Sequence, residues 1–197
     1  MEKLNLLKVV QILKKKKICI FTPLDFQRIF GVSFYSAKNF ISRHTKTGLF
    51  IKVKNGMYIF TDNKPPQFFI ANKLYQPSYI SFETALSYYG IIPETIYTVF
   101  SATTKPSREF EVMNKVFNFH RIKKELFFGY RPQKIEGITV LIAEPEKALA
   151  DYLYFVDLKK KRLNERIDTR NISKKYIKEI TKFYKRKSLI DLLNKIL

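Results

Sequence analysis

The sequence has almost no cysteine, no tryptophan, and few acidic side chains for its length. A single residue, Cys19, cannot close an intramolecular disulfide, and the two histidines are too few to complete a thiolate zinc site with it. These absences favour a reducing cytoplasm. No metal or cofactor is expected, because the sequence contains no phosphate-binding glycine loop, nucleophile elbow or histidine-carboxylate set. No apolar run reaches about 18 residues, so the sequence predicts neither a membrane span nor a signal peptide.

What the chain has in excess is positive charge. Lys and Arg number 37 against 17 Asp and Glu in 197 residues, which gives a net charge of +20. Such an excess predicts a polyanionic partner, either nucleic acid or an anionic membrane surface. Hydrophobic residues make up 46% of the chain, with 18 Phe and 12 Tyr, so the basic charge belongs to a folded protein. The net charge is +9 over residues 1–62, +3 over 63–150 and +8 over 151–197.

The first 62 residues predict three helices. The first has apolar positions at three- and four-residue spacing, namely Leu4, Leu7, Val10 and either Leu6 or Leu13. Thr22 followed by Pro23 is typical of a helix start, and Gly31 ends that second helix. Its buried face is predicted to contain Leu24, Phe26, Ile29 and Phe30. Ser33 begins a third helix, which runs to about Thr47 and ends at Gly48.

A β-hairpin is predicted directly after the third helix. Residues 49–54 and 57–61 alternate like strands around Asn55-Gly56, which is a strong hairpin signal. Three helices followed by a hairpin form a winged helix-turn-helix, in which the third helix enters the major groove of DNA and the hairpin reaches the adjacent backbone. The sequence therefore predicts a DNA-binding domain over residues 1–62.

The spacing within the third helix separates an inward face from an outward face. Ala37, Phe40, Ile41 and the partly buried His44 are expected to point inward, and Cys19 is expected to be a small buried residue. On the outward face, Asn39 suits adenine, and Lys38 or Arg43 suits guanine or phosphate. The candidate DNA-binding residues are Ser33, Tyr35, Ser36, Lys38, Asn39, Ser42, Arg43, Lys46, Lys52, Lys54 and Asn55. The alternative for each of them is an ordinary solvated surface.

Residues 66–197 predict a second, mixed α+β domain. Two short helices are expected first, over 68–75 and from Ser81 to Gly90. Strands follow over 96–102, 109–121, 126–130 and 138–143, and Glu144-Pro145-Glu146 then opens an amphipathic helix over 147–155. The basic tail, about 156–197, predicts two further amphipathic helices with Ile177, Ile180, Phe183 and Tyr184 on the first and Leu189, Leu192, Leu193 and Ile196 on the second. The basic faces of these helices are either solvated surface or a track for nucleic-acid phosphates.

Four stretches of the sequence resemble the AbiEi-type antitoxins, which are transcriptional regulators of bacterial abortive-infection and type IV toxin–antitoxin systems. The stretches are Lys54-Asn55-Gly56-Met57-Tyr58, residues 77–91 (PSYISFETALSYYGI), residues 98–104, and residues 142–151 (IAEPEKALAD). The resemblance covers roughly residues 5–155. It implies an amino-terminal winged helix that binds double-stranded DNA at the operator of its own operon, as a possible homodimer. It also implies a carboxy-terminal antitoxin domain that opposes a partner toxin, a nucleotidyltransferase. Two departures are His44, where leucine is usual, and the lysine-rich tail.

Two other functions remain open from the residues alone. Glu144, Glu146 and Lys147 resemble in composition the acids and lysine of metal-dependent nucleases, in which carboxylates hold a divalent ion. The spacing disfavours that alternative, because proline intervenes and Glu146 directly precedes Lys147; helix capping and a Lys147–Asp151 ion pair explain the segment more simply. The third possibility is a stand-alone transcription factor with no toxin partner. The sequence favours a DNA-binding repressor and antitoxin without catalytic residues.

Overall fold

A computed structural model describes residues 4–197 of the chain. It is a mixed α+β protein with two sheets, and it divides into two compact units, residues 1–66 (unit 1) and 67–197 (unit 2). None of the helices in the described range is long and apolar enough to cross a lipid bilayer.

Unit 1 contains three helices and a small antiparallel sheet. Its strands lie in the order β1-β3-β2, so the first strand pairs with the last. The elements are α1 (Leu6–Lys15), β1 (Ile20–Phe21), α2 (Pro23–Phe30), α3 (Phe34–Lys46), β2 (Phe50–Lys54) and β3 (Met57–Phe60).

The predicted ends of α2 and α3 are confirmed at the level of individual hydrogen bonds. The Thr22 hydroxyl accepts from the Asp25 amide, and the Asp25 carboxylate accepts from the Thr22 amide, so the two residues form a reciprocal capping box. Gly31, with φ +63°, ends α2 in the left-handed conformation that glycine adopts without steric cost. The Ser33 hydroxyl accepts from the Ser36 amide and caps α3.

The core of unit 1 is formed largely by aromatic rings from the helices and the sheet, including Phe21, Phe26, Phe50 and Phe60. The apolar stripe predicted for α1 is confirmed in part, because Leu13 is buried and Leu4 and Val10 pack against the core. Leu7 is 72% exposed, and Val9, which the predicted stripe omits, is buried. The Asn5 side-chain oxygen accepts from the Leu7 and Lys8 amides and caps α1.

The hairpin β2–β3 turns at the predicted Asn55-Gly56. Lys54 pairs with Met57 across the turn, and the register shifts between Lys52 and Lys54. The turn requires a left-handed residue, which Gly56 supplies with φ +73°.

Unit 2 is built on a six-stranded sheet with strand order β6-β7-β5-β4-β9-β8. Two neighbouring pairs, β5 with β7 and β4 with β9, are parallel, and the others are antiparallel. The elements are α4 (Gln67–Leu74), β4 (Ser78–Ile80), α5 (Phe82–Tyr88), β5 (Val99–Thr103), β6 (Arg108–Val112), β7 (Lys115–Arg121), β8 (Tyr130–Ile135), β9 (Ile138–Ala143), α6 (Pro145–Asp157), α7 (Lys174–Lys182) and α8 (Lys187–Ile196).

The sheet differs from the prediction in three places. The strand predicted over 109–121 is a hairpin, β6–β7, because Met113 and Asn114 both adopt left-handed φ values of +53° and +58°. The stretch predicted as a strand over 126–130 follows a short 3-10 helix, Lys124–Leu126, and the strand begins only at Tyr130. The short strand β4 has no counterpart in the prediction.

The helix α6 is central to unit 2 and is buried on all sides, so its predicted amphipathic character is wrong. Residues 147–155 are all buried, and among them Lys147 and Asp151 are completely inaccessible. The tail helices α7 and α8 pack against α6 through buried residues such as Ile177, Ile180, Leu189 and Leu193. Two amphipathic tail helices are therefore confirmed, although Phe183, predicted on their apolar face, is 59% exposed.

Candidate nucleic-acid interface

The helix α3 presents one apolar face to the core of unit 1 and one polar face to solvent. Ala37, Phe40 and Ile41 are buried, as predicted. The predicted DNA-binding residues on this helix are exposed, with Ser36 half-buried: Ser33, Tyr35, Ser36, Lys38, Asn39, Ser42, Arg43 and Lys46. The structure therefore brings these side chains together on one accessible surface, the α3 face.

At the start of α3, two serines form the helix cap and two aromatic side chains are exposed to solvent. The Ser33 hydroxyl donates to the Ser36 hydroxyl at 2.9 Å while it accepts the Ser36 amide, so Ser33 is committed to the cap. Tyr35 is 75% exposed and Phe34 is 47% exposed. The Lys38 ammonium lies 5.7 Å from the centre of the Phe34 ring, which orients this cation along the helix surface.

The hairpin supplies a second set of polar groups in the same unit. Lys52 and Asn55 are exposed and Lys54 is half-buried. The strand β2 packs against α3, so the hairpin is fixed relative to the α3 face. The burial of β2 does not alternate strictly, because Phe50 and Val53 are both buried and the register shifts between Lys52 and Lys54; Lys52 is exposed to solvent.

His44 lies beside the α3 face and belongs to no cluster of metal-ligating side chains among the described residues. Its ring packs on Phe40 with centroids 4.2 Å apart, and its Nδ1 is buried without a hydrogen-bond partner among the described residues. Burial, assisted by the neighbouring Arg43 charge, lowers the pKa of His44 below its ordinary value. The imidazole is therefore neutral near pH 7 and adds no repulsion to the basic α3 face.

Acidic side chains do not oppose this basic surface within residues 4–66. Asp25 is engaged in the capping box of α2, and Asp62 pairs with Lys14 at 2.8 Å. The described residues of unit 1 therefore carry a large excess of positive charge, which attracts an anionic partner.

Sequence reasoning missed two exposed residues of unit 1, Phe34 and Arg28, and the predicted burial of Leu24 on α2 is wrong, because this side chain is 45% exposed. Phe34 was overlooked because aromatic residues at helix starts are usually assigned to the core. Arg28 lies on α2, and only the burial of Phe26 on the opposite side shows which way it points.

In the Glu144-Pro145-Glu146-Lys147 segment, the three charged side chains all form hydrogen bonds with other groups of unit 2. The Glu144 carboxylate accepts from the Tyr176 hydroxyl at 2.8 Å, and the Glu146 carboxylate accepts from the Ser173 amide at 2.9 Å. Lys147 points into the core. These groups fasten α7 to α6, and residues 4–197 contain no cluster of three His, Cys, Asp or Glu suited to a metal ion.

The buried groups around Lys147 form one connected network. The Lys147 ammonium donates to Asp151 and, at 2.8 Å, to the Tyr184 hydroxyl. The Asp151 carboxylate also accepts from Tyr184 at 2.6 Å, from Tyr79 at 2.9 Å and from Ser81 at 2.8 Å. Burial outweighs the favourable charge of Asp151 and lowers the pKa of Lys147, while burial raises the pKa values of Tyr79 and Tyr184.

No family model matches this chain, and no curated protein is significantly similar to it. The case for a function therefore depends on the residues of the chain itself. The side chains of the Lys147 network are all buried and cannot contact a partner. Most of the polar side chains on the α3 face and the hairpin are exposed to solvent, where a partner can reach them.

Proposed function

We propose that this protein is a DNA-binding transcriptional repressor whose unit 1 is a winged helix-turn-helix. The observation that carries the proposal is the exposed α3 face, where Lys38, Asn39 and Arg43 occupy one surface of a helix whose other side is locked into the core. The order of elements in unit 1, three helices with a strand before α2 and a hairpin after α3, supports it.

In this proposal α3 enters the major groove of the operator. Asn39 can pair its amide with adenine and Arg43 its guanidinium with guanine, and each good bidentate pair discriminates by about 1–3 kcal/mol. Lys52, Lys54 and Asn55 on the hairpin contact the phosphate backbone, which fixes register and makes the affinity dependent on salt. Two copies bind as a homodimer on two half-sites.

We further propose that the protein is an antitoxin of the AbiEi type, which represses its own operon and opposes a nucleotidyltransferase toxin. The four stretches of resemblance described above support this part. Repression here works by occupancy of DNA, without catalysis. If the gene beside this one encodes a nucleotidyltransferase, its expression alone will arrest growth and co-expression of this protein will restore it. Failure to restore growth leaves a stand-alone transcription factor.

The DNA-binding proposal is tested by mobility shift on the DNA upstream of the gene. A triple variant, Lys38→Ala with Asn39→Ala and Arg43→Ala, is expected to lose the shift. A matched control, Lys124→Ala with Lys134→Ala and Asn171→Ala, removes two charges and one amide from exposed positions of unit 2 and is expected to keep it. An unchanged shift for the α3 triple variant overturns the assignment.

A further inference from the structure

Unit 2 contains a half-open pocket of about 430 Å³, a size typical of small-molecule sites. It lies where α4 faces the gap between β4 and β9. Only one residue pair, Ile80 with Ile142, joins these two parallel strands, so they separate towards the start of β4. The pocket occupies this separation and uses no residue of unit 1.

The back wall of the pocket is held open by Asn72. Its side-chain oxygen accepts from the Leu141 amide at 2.6 Å, and its side-chain nitrogen donates to the Leu141 carbonyl at 3.2 Å. The Leu141 amide and carbonyl are thus hydrogen-bonded to Asn72, at a position of β9 where β4 does not pair with it. The gap is therefore a built feature with satisfied backbone groups, and it does not need to close.

Aromatic rings form one side of the pocket. Phe127 and Tyr130 line it, and the Tyr130 ring stacks on the buried Tyr79 at 4.6 Å with an angle of 14° between the rings. Phe69, on α4, also lines it. Three aromatic rings from separate segments of the chain favour a planar ligand.

The polar groups of the pocket include one cation and no acid. Lys73 lies at the mouth with its ammonium 5.3 Å from the centre of the Phe69 ring. Ser78 lines the pocket, is 4% exposed, and has a hydroxyl without a hydrogen-bond partner among residues 4–197. An unpaired buried hydroxyl is destabilising, and a ligand that offers a hydrogen-bond partner to the Ser78 hydroxyl removes that penalty.

We propose that this pocket binds a small planar ligand that carries an anionic group. The rings of Phe69, Phe127 and Tyr130 enclose the plane of the ligand, and the Lys73 ammonium pairs with its negative charge. Ser78 supplies a hydrogen bond at the inner end. The proposal does not depend on DNA binding, because the pocket and the α3 face belong to different units.

The experiment uses two fluorescent probes with the same ring system, anilinonaphthalene sulfonate and the uncharged N-phenylnaphthylamine. Because the protein has no tryptophan, its own fluorescence does not interfere with either probe. The sulfonate is expected to bind saturably at one site per chain, about tenfold more tightly than the uncharged probe. Lys73→Gln removes that difference, and Ser78→Ala weakens the binding of the sulfonate.

A strongly basic protein also attracts anionic dyes to its surface, so the variants must separate the pocket from adsorption. Lys123→Gln removes one exposed charge outside the pocket and is expected to leave the affinity unchanged. Thr139→Phe places a large side chain at an exposed lining position of β9 and is expected to abolish binding of both probes, while circular dichroism shows an unchanged fold. Binding that survives Thr139→Phe, or falls equally with Lys123→Gln, overturns the proposal.

Discussion

Asn39 and Lys52 are expected to contribute to DNA binding in different ways. Asn39 lies on the α3 face, where a base contact carries sequence information, whereas Lys52 lies on the hairpin, where a phosphate contact carries none. Asn39→Ala should therefore cost about 1–3 kcal/mol on the operator and little on unrelated DNA. Lys52→Ala should weaken both equally and reduce the salt slope by about one unit. Titrations on both DNAs at several salt concentrations measure the difference, and equal losses for Asn39→Ala would contradict it.

His120 is expected to make stability depend on pH. Its ring lies among Phe82, Phe100 and Phe155, and burial, together with the Lys161 and Lys160 charges, lowers its pKa from 6.5 to about 4. The unfolded chain takes up a proton near pH 6.5, while the folded protein does not until about pH 4. The contribution of His120 to stability is therefore constant above pH 6.5 and falls as the pH drops towards 4, by less than about 1.4 kcal/mol per pH unit.

The matched variant for this effect is His120→Phe, which fits a position already surrounded by aromatic rings and removes an unpartnered buried nitrogen. Its melting temperature should fall less steeply between pH 6.5 and 4 than that of the native protein. Some slope remains, because the pKa of His44 is lowered in the same direction. Identical slopes for the two proteins would show that His120 is not protected from protonation.

At the scale of elements, the Lys147 network joins three parts of unit 2. Asp151 and Lys147 belong to α6, Tyr79 and Ser81 come from β4 and the residue after it, and Tyr184 follows α7. Ser81 precedes α5 without a side-chain cap, and its hydroxyl donates to Asp151 of this network.

Removing one member of this network should be strongly destabilising. Asp151→Leu leaves the Lys147 ammonium buried without its counter-ion, which costs about 3–5 kcal/mol in comparable buried pairs. Adding Lys147→Met should recover a large part of that loss. The control is Asp62→Asn, which breaks the half-exposed pair with Lys14 and should cost under about 1 kcal/mol. Denaturant unfolding measures all three, and additive losses for the double variant would contradict the coupling.

The sequence predicted elements well where local chemistry decides them. Thr22, Pro23 and Ser33 determine helix starts through their own side chains, and Gly56 determines a turn. The prediction failed where contacts between distant segments determine the ends of an element or the burial of a side chain. Met113 and Asn114 interrupt a stretch whose residues are typical of a single strand, and the hairpin is evident only from the pairing of β6 with β7. The exposure of Leu7 likewise depends on how α1 packs against the core. The burial of Lys147 depends on Asp151 and Tyr184, and no local pattern indicates the latter partner.

At the scale of the molecule, the structure divides the basic charge into paired and unpaired groups. Several basic residues of the tail are held by acids, as in the pairs Lys161–Glu83, Arg166–Glu94 and Arg186–Asp157. Other exposed lysine side chains of the tail have no ion-pair partner among the described residues, namely Lys175, Lys178, Lys182, Lys185 and Lys187.

Net charge alone predicted a polyanionic partner; only the arrangement of α3 and the hairpin favours duplex DNA over other polyanions. The α3 surface was predictable, whereas the pocket of unit 2 was not, because residues from three distant segments form it.

The most direct test of the central claim, that the α3 face selects a DNA sequence, is selection of binding sites from a random duplex library. The native protein should enrich one sequence motif. Asn39→Ala should lose base preference at one position of that motif and retain it at the others, and Lys124→Ala should leave the motif unchanged. An identical motif for the native protein and for Asn39→Ala and Arg43→Ala would contradict the account.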